Sequence, residues 1–264
     1  MKKFEKKRIV VKVGTSTLTH ANTHKINIAR MAKLVSVLAD LHNMGHVVVL
    51  VSSGAIAVGT GKLGLKEKPQ EDCELQAAAA IGQCELMFLY DKLFSEYNVI
   101  VSQLLFTTDV LKSEESKGHL LDTFNQLLKY DVIPVINEND SISVEELRSS
   151  DNDCMSAIIA ELIDADMLIM FTDTDGLYDS NPRTNPNAKL ISIVEEITHE
   201  IKKIAGGAGK MGTGGFSTKV KAAEIATGAD IPVIVCNGEK PTRIYKILDG
   251  ESVGTLFLPK KKGE

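Results

Sequence analysis

Six short runs dominate this sequence: Ile9-Val10-Val11-Lys12-Val13, Val47 to Val51, Ile100 to Leu104, Val132 to Ile136, Met167 to Phe171 and Pro232 to Val235. They are nearly continuous in apolar, mostly β-branched residues rather than alternating. That is the pattern of strands covered on both faces, as in a parallel sheet. Parallel strands need crossovers, and the intervals supply them. Leu34, Val37, Leu38 and Leu41 repeat at i, i+3, i+4 and i+7, and Gly45 then stops the helix. Leu75 to Tyr97 reads as a long helix, apolar on most sides. Leu120, Leu121, Phe124, Leu127 and Leu128 mark another, a fourth runs from near Asp153 to Ile163, and Lys219 to Thr227 is a further short one. The alternation predicts an α/β fold, an αβα three-layer sandwich around a mainly parallel central sheet.

With 264 residues the chain makes one large domain or two lobes, and no linker rich in Pro, Gly or Ser divides it. The 44% hydrophobic content suffices for a substantial core and excludes wholesale disorder. Thirty Lys and Arg against 35 Asp and Glu give a net charge of −5, unlike a protein that coats nucleic acid. The four cysteines, Cys73, Cys84, Cys154 and Cys236, are scattered without a Cys-x-x-Cys pair, so a disulfide framework or zinc site is not expected and a reducing cytosol fits. The unbroken apolar runs fall far short of the roughly 18 residues of a membrane span. No signal-type apolar stretch follows the charged segment Met1 to Arg8.

Ligands of open α/β sheets bind at the carboxyl ends of strands. Four of the runs are followed there by small, polar or acidic residues: Gly14-Thr15-Ser16-Thr17, Ser52-Ser53-Gly54-Ala55, Asn137-Glu138-Asn139-Asp140, and Thr172-Asp173-Thr174-Asp175-Gly176. One such turn is ordinary; four on one edge point to a ligand site. Lys12 interrupts the first strand between Val11 and Val13. It either snorkels from an exposed strand face or reaches an anion in the cleft, and a buried strand favours the second.

The run Gly206 to Gly215 leads into Phe216-Ser217-Thr218-Lys219, which opens a helix. Glycines admit close approach of backbone amides, a helix N-terminus adds partial positive charge, and Lys219 adds a full one, which together suit a phosphate. Two Gly-x-Gly-x-x-Gly matches, at Gly59/Gly61/Gly64 and Gly207/Gly209/Gly212, do not follow a strand as a dinucleotide turn requires. A P-loop is absent, since Gly61-Lys62 precedes Leu63 and Gly209-Lys210 precedes Met211. Asp151-Asn152-Asp153 exceeds what a helix N-cap requires; the two carboxylates either hold a substrate ammonium or orient nearby lysines. The His20/His24 and His42/His46 pairs lack accompanying carboxylates and read as structural or solvated.

Taken in order, Val11-Lys12-Val13-Gly14-Thr15-Ser16, Val51 to Ile56, Pro134 to Asp140, Asp151-Asn152-Asp153, Thr172-Asp173, Gly176-Leu177-Tyr178 and Gly212 to Lys219 resemble the glutamate 5-kinase branch of the amino acid kinase family. The resemblance runs from about Arg8 to Leu258, with Ser252 to Phe257 similar to the family's last strand. Phe216 stands where many members have Met. The resemblance implies one amino acid kinase domain over 1–264, with a glutamate-binding lobe over about 1–165 and a nucleotide-binding lobe over about 166–264. Many members continue into a C-terminal PUA domain, which this sequence is expected to lack.

The implied reaction is ATP-dependent phosphorylation of the γ-carboxylate of L-glutamate, the first step of proline synthesis, with Mg²⁺ carried on the ATP phosphates and no dedicated metal cage of side chains. The implied catalytic residues are Lys12, Lys219 and Asp153, with Asp153 organising the two lysines. Ser53, Asp140 and Asn152 match glutamate-binding positions, and Asn137 and Asp151 line the same site. Lys12, Thr172, Asp173, Thr213, Gly214, Gly215, Phe216, Ser217, Thr218 and Lys219 match nucleotide contacts. A cytoplasmic homo-oligomer, a dimer or tetramer, is implied, with handover of product to glutamyl phosphate reductase and no nucleic-acid or membrane partner. The competing readings are a related kinase acting on acetylglutamate or carbamate, a catalytically silent amino-acid sensor on the same fold, and a Rossmann oxidoreductase.

Overall fold

All six apolar runs become strands of one sheet. The computed structural model describes residues 5–20, 23, 25–107, 109–110, 113–142, 152–206 and 216–259. Among them the strands are β1 (Arg8–Val13), β2 (Val47–Ser52), β3 (Ile100–Phe106), β4 (Val132–Glu138), β5 (Met167–Thr172), β6 (Ile193–Val194), β7 (Val233–Asn237) and β8 (Thr255–Phe257). The helices are α1 (Thr15–Leu18), α2 (Ile28–Asn43), α3 (Ala55–Lys62), α4 (Asp72–Ser95), α5 (Glu114–Lys129), α6 (Asn152–Leu162), α7 (His199–Gly206), α8 (Phe216–Gly228) and α9 (Arg243–Leu248).

The sheet order is β3-β4-β2-β1-β5-β7-β8-β6. Neighbours from β3 to β7 pair in parallel. The antiparallel contact is β7 with β8, and β6 runs parallel to β8. Side-chain alternation divides the core into two layers. Ile9, Val11 and Val13 of β1 pack with Leu38, Leu86, Tyr90 and Phe94 on one side. Val10 packs with Met155, Ile159, Ala223 and Ala226 on the other. Three layers result, as the sequence predicts.

Two edges of the sheet have different jobs. At the amino ends, helices return into strands through single residues with left-handed backbone: Gly45 before β2, Asn98 before β3, Asp131 before β4, Asp164 before β5 and Asp230 before β7. Gly, Asn and Asp tolerate positive φ best, so these tight returns are set by local chemistry. The carboxyl ends carry the four polar turns.

Helix α3 is absent from the sequence expectation because Gly59 and Gly61 lie within it and weaken any helical pattern. Packing explains the cost. A Cβ on Gly59 would sit 1.8 Å from the Ala78 carbonyl oxygen, and one on Gly82 would sit 1.8 Å from that of Ala55. Helices α3 and α4 therefore cross backbone to backbone. The crossing fixes α3 behind Ser53-Gly54, where Gly54 takes a φ of 108°. The dinucleotide-like match at Gly59 and Gly61 is thus a helix crossing. The strand β6 was not anticipated either, since two residues carry no periodicity.

Candidate active site

Lys12 lies on the face of β1 that Val10 shares, and its ammonium reaches forward over Gly14: Nζ is 3.6 Å from the place a Gly14 Cβ would occupy. The side chain does not snorkel; only 6% of the residue is exposed. Its ammonium lies 2.8 Å from Asp153 Oδ1. Lys219, from the first turn of α8, lies 3.1 Å from Asp153 Oδ2, and Thr218 Oγ1 donates to the same oxygen at 2.6 Å. Asp153 occupies the first turn of α6, so three separate segments converge on one buried carboxylate.

Burial on its own would raise the Asp153 pKa. Lys12 foremost, then Lys219, and the hydrogen bonds outweigh it and hold the group well below the usual carboxylate range. Two ammonium groups held on one buried carboxylate place positive charge in a nearly dry site, which favours an incoming anion.

A chain of amides lies alongside. Asn152 Nδ2 donates to Ser53 Oγ at 2.9 Å and to Asn137 Oδ1 at 2.8 Å, and Asn137 Nδ2 donates to Gln83 Oε1 at 2.9 Å. Because Ser53 accepts from Asn152, its own hydroxyl hydrogen remains to be donated to an anion. Asn152 Oδ1, Asp140 Oδ1 and Glu138 Oε1 are buried without a hydrogen-bond partner among the described residues. A spare acceptor on Asn152 beside the Ser53 hydroxyl suits a ligand with an ammonium and a carboxylate. Burial pushes the Asp140 carboxyl up to about 6, with Lys68 opposing.

Gln83 has no place in the sequence expectation, and Glu138 enters it only as part of the Asn137–Asp140 turn, without a role. Gln83 sits in the apolar pattern of α4 and reads as an ordinary helix position; only its link to Asn137 reveals it. Glu138 ends β4 and is 3% exposed. It stands between Asn137 and Asp140, to which the resemblance does give roles.

Thr172 and Asp173 close β5 on the same edge, tied to β7 by a bond from Gly238 N to Thr172 O at 2.9 Å. Thr172 is buried and donates to Asp173 Oδ1 at 3.2 Å; Asp173 is exposed. Phe216 and Ser217 open α8 beside Thr218 and Lys219. Asp151, Thr213, Gly214 and Gly215 lie outside the described residues, as does most of the glycine run. No group of three His, Cys, Asp or Glu side chains converges as a metal site among the described residues. No helix among them is long and apolar enough to cross a membrane.

Comparison with known proteins places this geometry. The model of the amino acid kinase family matches residues 7–237. Glutamate 5-kinase of Clostridium perfringens is 52% identical over 262 residues, covering 97% of each chain. Glutamate 5-kinase of Clostridium acetobutylicum is also 52% identical, covering 97% of this chain and 96% of its own. Among solved structures, UMP kinase from Bacillus anthracis superposes with a TM-score of 0.64 at 15% identity, covering 96% of each chain, a likeness of fold alone. The chain belongs to the amino acid kinase family, within its glutamate 5-kinase group.

Proposed function

We propose that this chain transfers the γ-phosphoryl group of ATP to the γ-carboxylate of L-glutamate, giving γ-glutamyl phosphate and ADP, the reaction that opens proline biosynthesis. The observation that carries the reading is the buried Lys12–Asp153–Lys219 cluster beside the Ser53–Asn152–Asn137 amide chain. Relatives of matching length that bear the name glutamate 5-kinase supply the substrate.

The nucleophile is the substrate's own carboxylate, ionised at neutral pH, so no general base is needed. One carboxylate oxygen bonds to the γ-phosphorus as the bond to the β,γ-bridging oxygen breaks, and ADP leaves with that electron pair. The work left to the protein is positioning and charge neutralisation. Lys12 and Lys219 flank the moving phosphoryl group from opposite sides. Asp153 holds both ammonium groups at fixed positions and is itself no nucleophile. Ser53 and the amides orient the substrate, and Asp140 pairs with its α-ammonium. Segments 1–165 form the glutamate side, and segments 166–264, with Thr172, Asp173 and the α8 start, form the nucleotide side.

Mg²⁺ would neutralise and orient the ATP phosphates when bound. The donor set fits an ion held mainly by phosphate oxygens and water, since Asp153 is already taken by two ammonium groups. The acyl phosphate product hydrolyses readily, which supports prompt handover to a reductase.

Trapping with hydroxylamine tests the reading. ATP and Mg²⁺ are supplied with L-glutamate, N-acetylglutamate, aspartate or carbamate in turn. Hydroxamate is expected from L-glutamate alone. No hydroxamate from any acceptor, with ATP still bound, would favour the silent sensor. In the same assay Lys12→Ala and Lys219→Ala are each expected to lose about tenfold or more in turnover, as when one charge-stabilising donor is removed. Near-normal turnover in either variant would remove that lysine from the mechanism.

The Asp140 carboxyl gives the reaction an acid limb. With its pKa raised to about 6, Asp140 is neutral below that pH and cannot pair with an ammonium. At saturating ATP, kcat/KM for glutamate should fall as pH drops from 7 to 5, with a midpoint near the free-enzyme value of about 6. Asp140→Asn should have a raised glutamate KM and lose that limb. A limb retained in the variant assigns it to another group.

A further inference from the structure

The loop after β5 carries two carboxylates, Asp173 and Asp175, at the edge where a polyanionic nucleotide is to be received. Each is met by an arginine from a different, later segment. Arg183 Nη2 lies 2.5 Å from Asp173 Oδ2, and Arg243 Nη1 lies 2.7 Å from Asp175 Oδ1.

Both arginines are delivered by built structure. Arg183 rides on an excursion that leaves and rejoins the fold at the Tyr178–Leu190 bridge. Asp179 closes its neck, accepting from Lys189 N at 2.9 Å while Asp179 N donates to Lys189 O at 3.0 Å. Asn181 Oδ1 accepts from Arg183 N at 2.9 Å, and Asn185 Nδ2 donates to Ser180 Oγ at 3.0 Å. Arg243 opens α9 and is three-quarters covered. From beneath, Thr255 Oγ1 accepts from Leu177 N at 2.8 Å and donates to Ile191 O at 2.7 Å. A Cβ on Gly254 would lie 3.1 Å from Asp175 O, so β8 is pressed against the loop.

We propose that Arg183 and Arg243 are positioning residues for nucleotide binding: they hold the Asp173–Asp175 loop in place and cancel its negative charge, so that a nucleoside triphosphate can approach. The inference rests on the reading of Thr172 and Asp173 as the nucleotide side. Neither arginine needs to touch the ligand. Without its arginine, each carboxylate would face the polyphosphate bare, and like charges weaken association most at low salt. Arg243 is the more diagnostic member because Asp175 stands outside the proposed contacts, so its charge can be removed separately.

The test is calorimetric binding of MgATP to the full chain at low and high salt, with steady-state kinetics alongside. Arg183→Ala and Arg243→Ala should each weaken ATP binding by about fivefold at low salt, the effect of one poorly screened surface charge. The loss should shrink at high salt. KM for ATP should rise while kcat and the glutamate KM stay within about twofold, since only one ligand is affected. Arg243→Lys, which keeps the charge but not the fork, should fall between. Asp175→Asn placed on Arg243→Ala should restore ATP binding, which a purely structural role for Arg243 would not do. Wild-type ATP affinity in both single variants, or no recovery in the double variant, overturns the proposal. If ATP binding follows this pattern but glutamate yields no hydroxamate, the proposed reaction fails and the positioning role stands.

Discussion

Asp153→Ala is expected to lower turnover about a hundredfold or more, because removing the shared carboxylate releases both ammonium groups that the proposed mechanism sets against the transferring charge. The loss should exceed that of either lysine variant. Lys12 and Lys219 are 6% and 8% exposed, and without Asp153 both buried cations lose the carboxylate they share. Breaking a buried ion pair from one side costs about 3–5 kcal/mol, so the variant should also melt lower. Asp153→Asn separates the two effects: it keeps the shape and a hydrogen-bond acceptor for Thr218 and loses the charge. Turnover in Asp153→Asn is expected to stay near the alanine level while part of the stability returns. Wild-type turnover in Asp153→Asn would show that the lysines need no counter-charge. The pH dependence has a definite sign. Asp153 has a depressed folded pKa, so its contribution to stability is complete above the unfolded value of about 3.9 and fades only as pH falls below it.

Gly82→Val is expected to cost about 3 kcal/mol or more, since overpacking against backbone leaves nothing flexible to yield. For a chain of this size that is a fall of roughly 10 °C in melting temperature. Gly59→Val should behave alike, because each glycine admits a carbonyl of the other helix: Ala78 O at Gly59 and Ala55 O at Gly82. Even alanine should destabilise at these positions, although helix propensity alone makes Gly→Ala favourable by about 1 kcal/mol. Gly118 is the control. It lies within α5, where a Cβ meets nothing within 4 Å, and Gly118→Ala should stabilise by about 0.5–1 kcal/mol. Thermal unfolding of the alanine set reads the sign directly. Stabilisation at Gly82 would mean that α3 and α4 can move apart freely. Because α3 begins just after Ser53-Gly54, the glutamate KM should rise along with the stability loss.

Much of this was legible in the chain because strands buried on both faces must be apolar throughout. The intrusion of Lys12 into such a run is the clearest functional signal in the sequence, and the structure accounts for it with Asp153. The four polar turns share an edge because parallel strands put all their carboxyl ends together. What stayed hidden has physical reasons too. The order of strands depends on crossovers between distant segments and leaves no local trace. Helix α3 hides because close helix approach demands the glycines that propensity counts against it. Gln83 hides because a buried amide is recognised only by its partner. Arg183 and Arg243 look like ordinary surface cations until Asp173 and Asp175 are seen beside them.

The convergence on Asp153 also bears on how the chain is made. Synthesis delivers Lys12 and then Asp153 long before Lys219, which lies 66 residues further on. Most of the sheet, from β3 across to β5, can assemble while α8 is still missing, since domains emerging from the ribosome fold from their N-terminal side. During that interval the carboxylate has one of its two cations, and the layer that α8 will cover is open to water. The complete Lys12–Asp153–Lys219 cluster therefore forms late and all at once. On the proposed assignment, a nascent or truncated chain holding only the first five strands lacks Lys219 and should transfer no phosphate from ATP before the fold is closed.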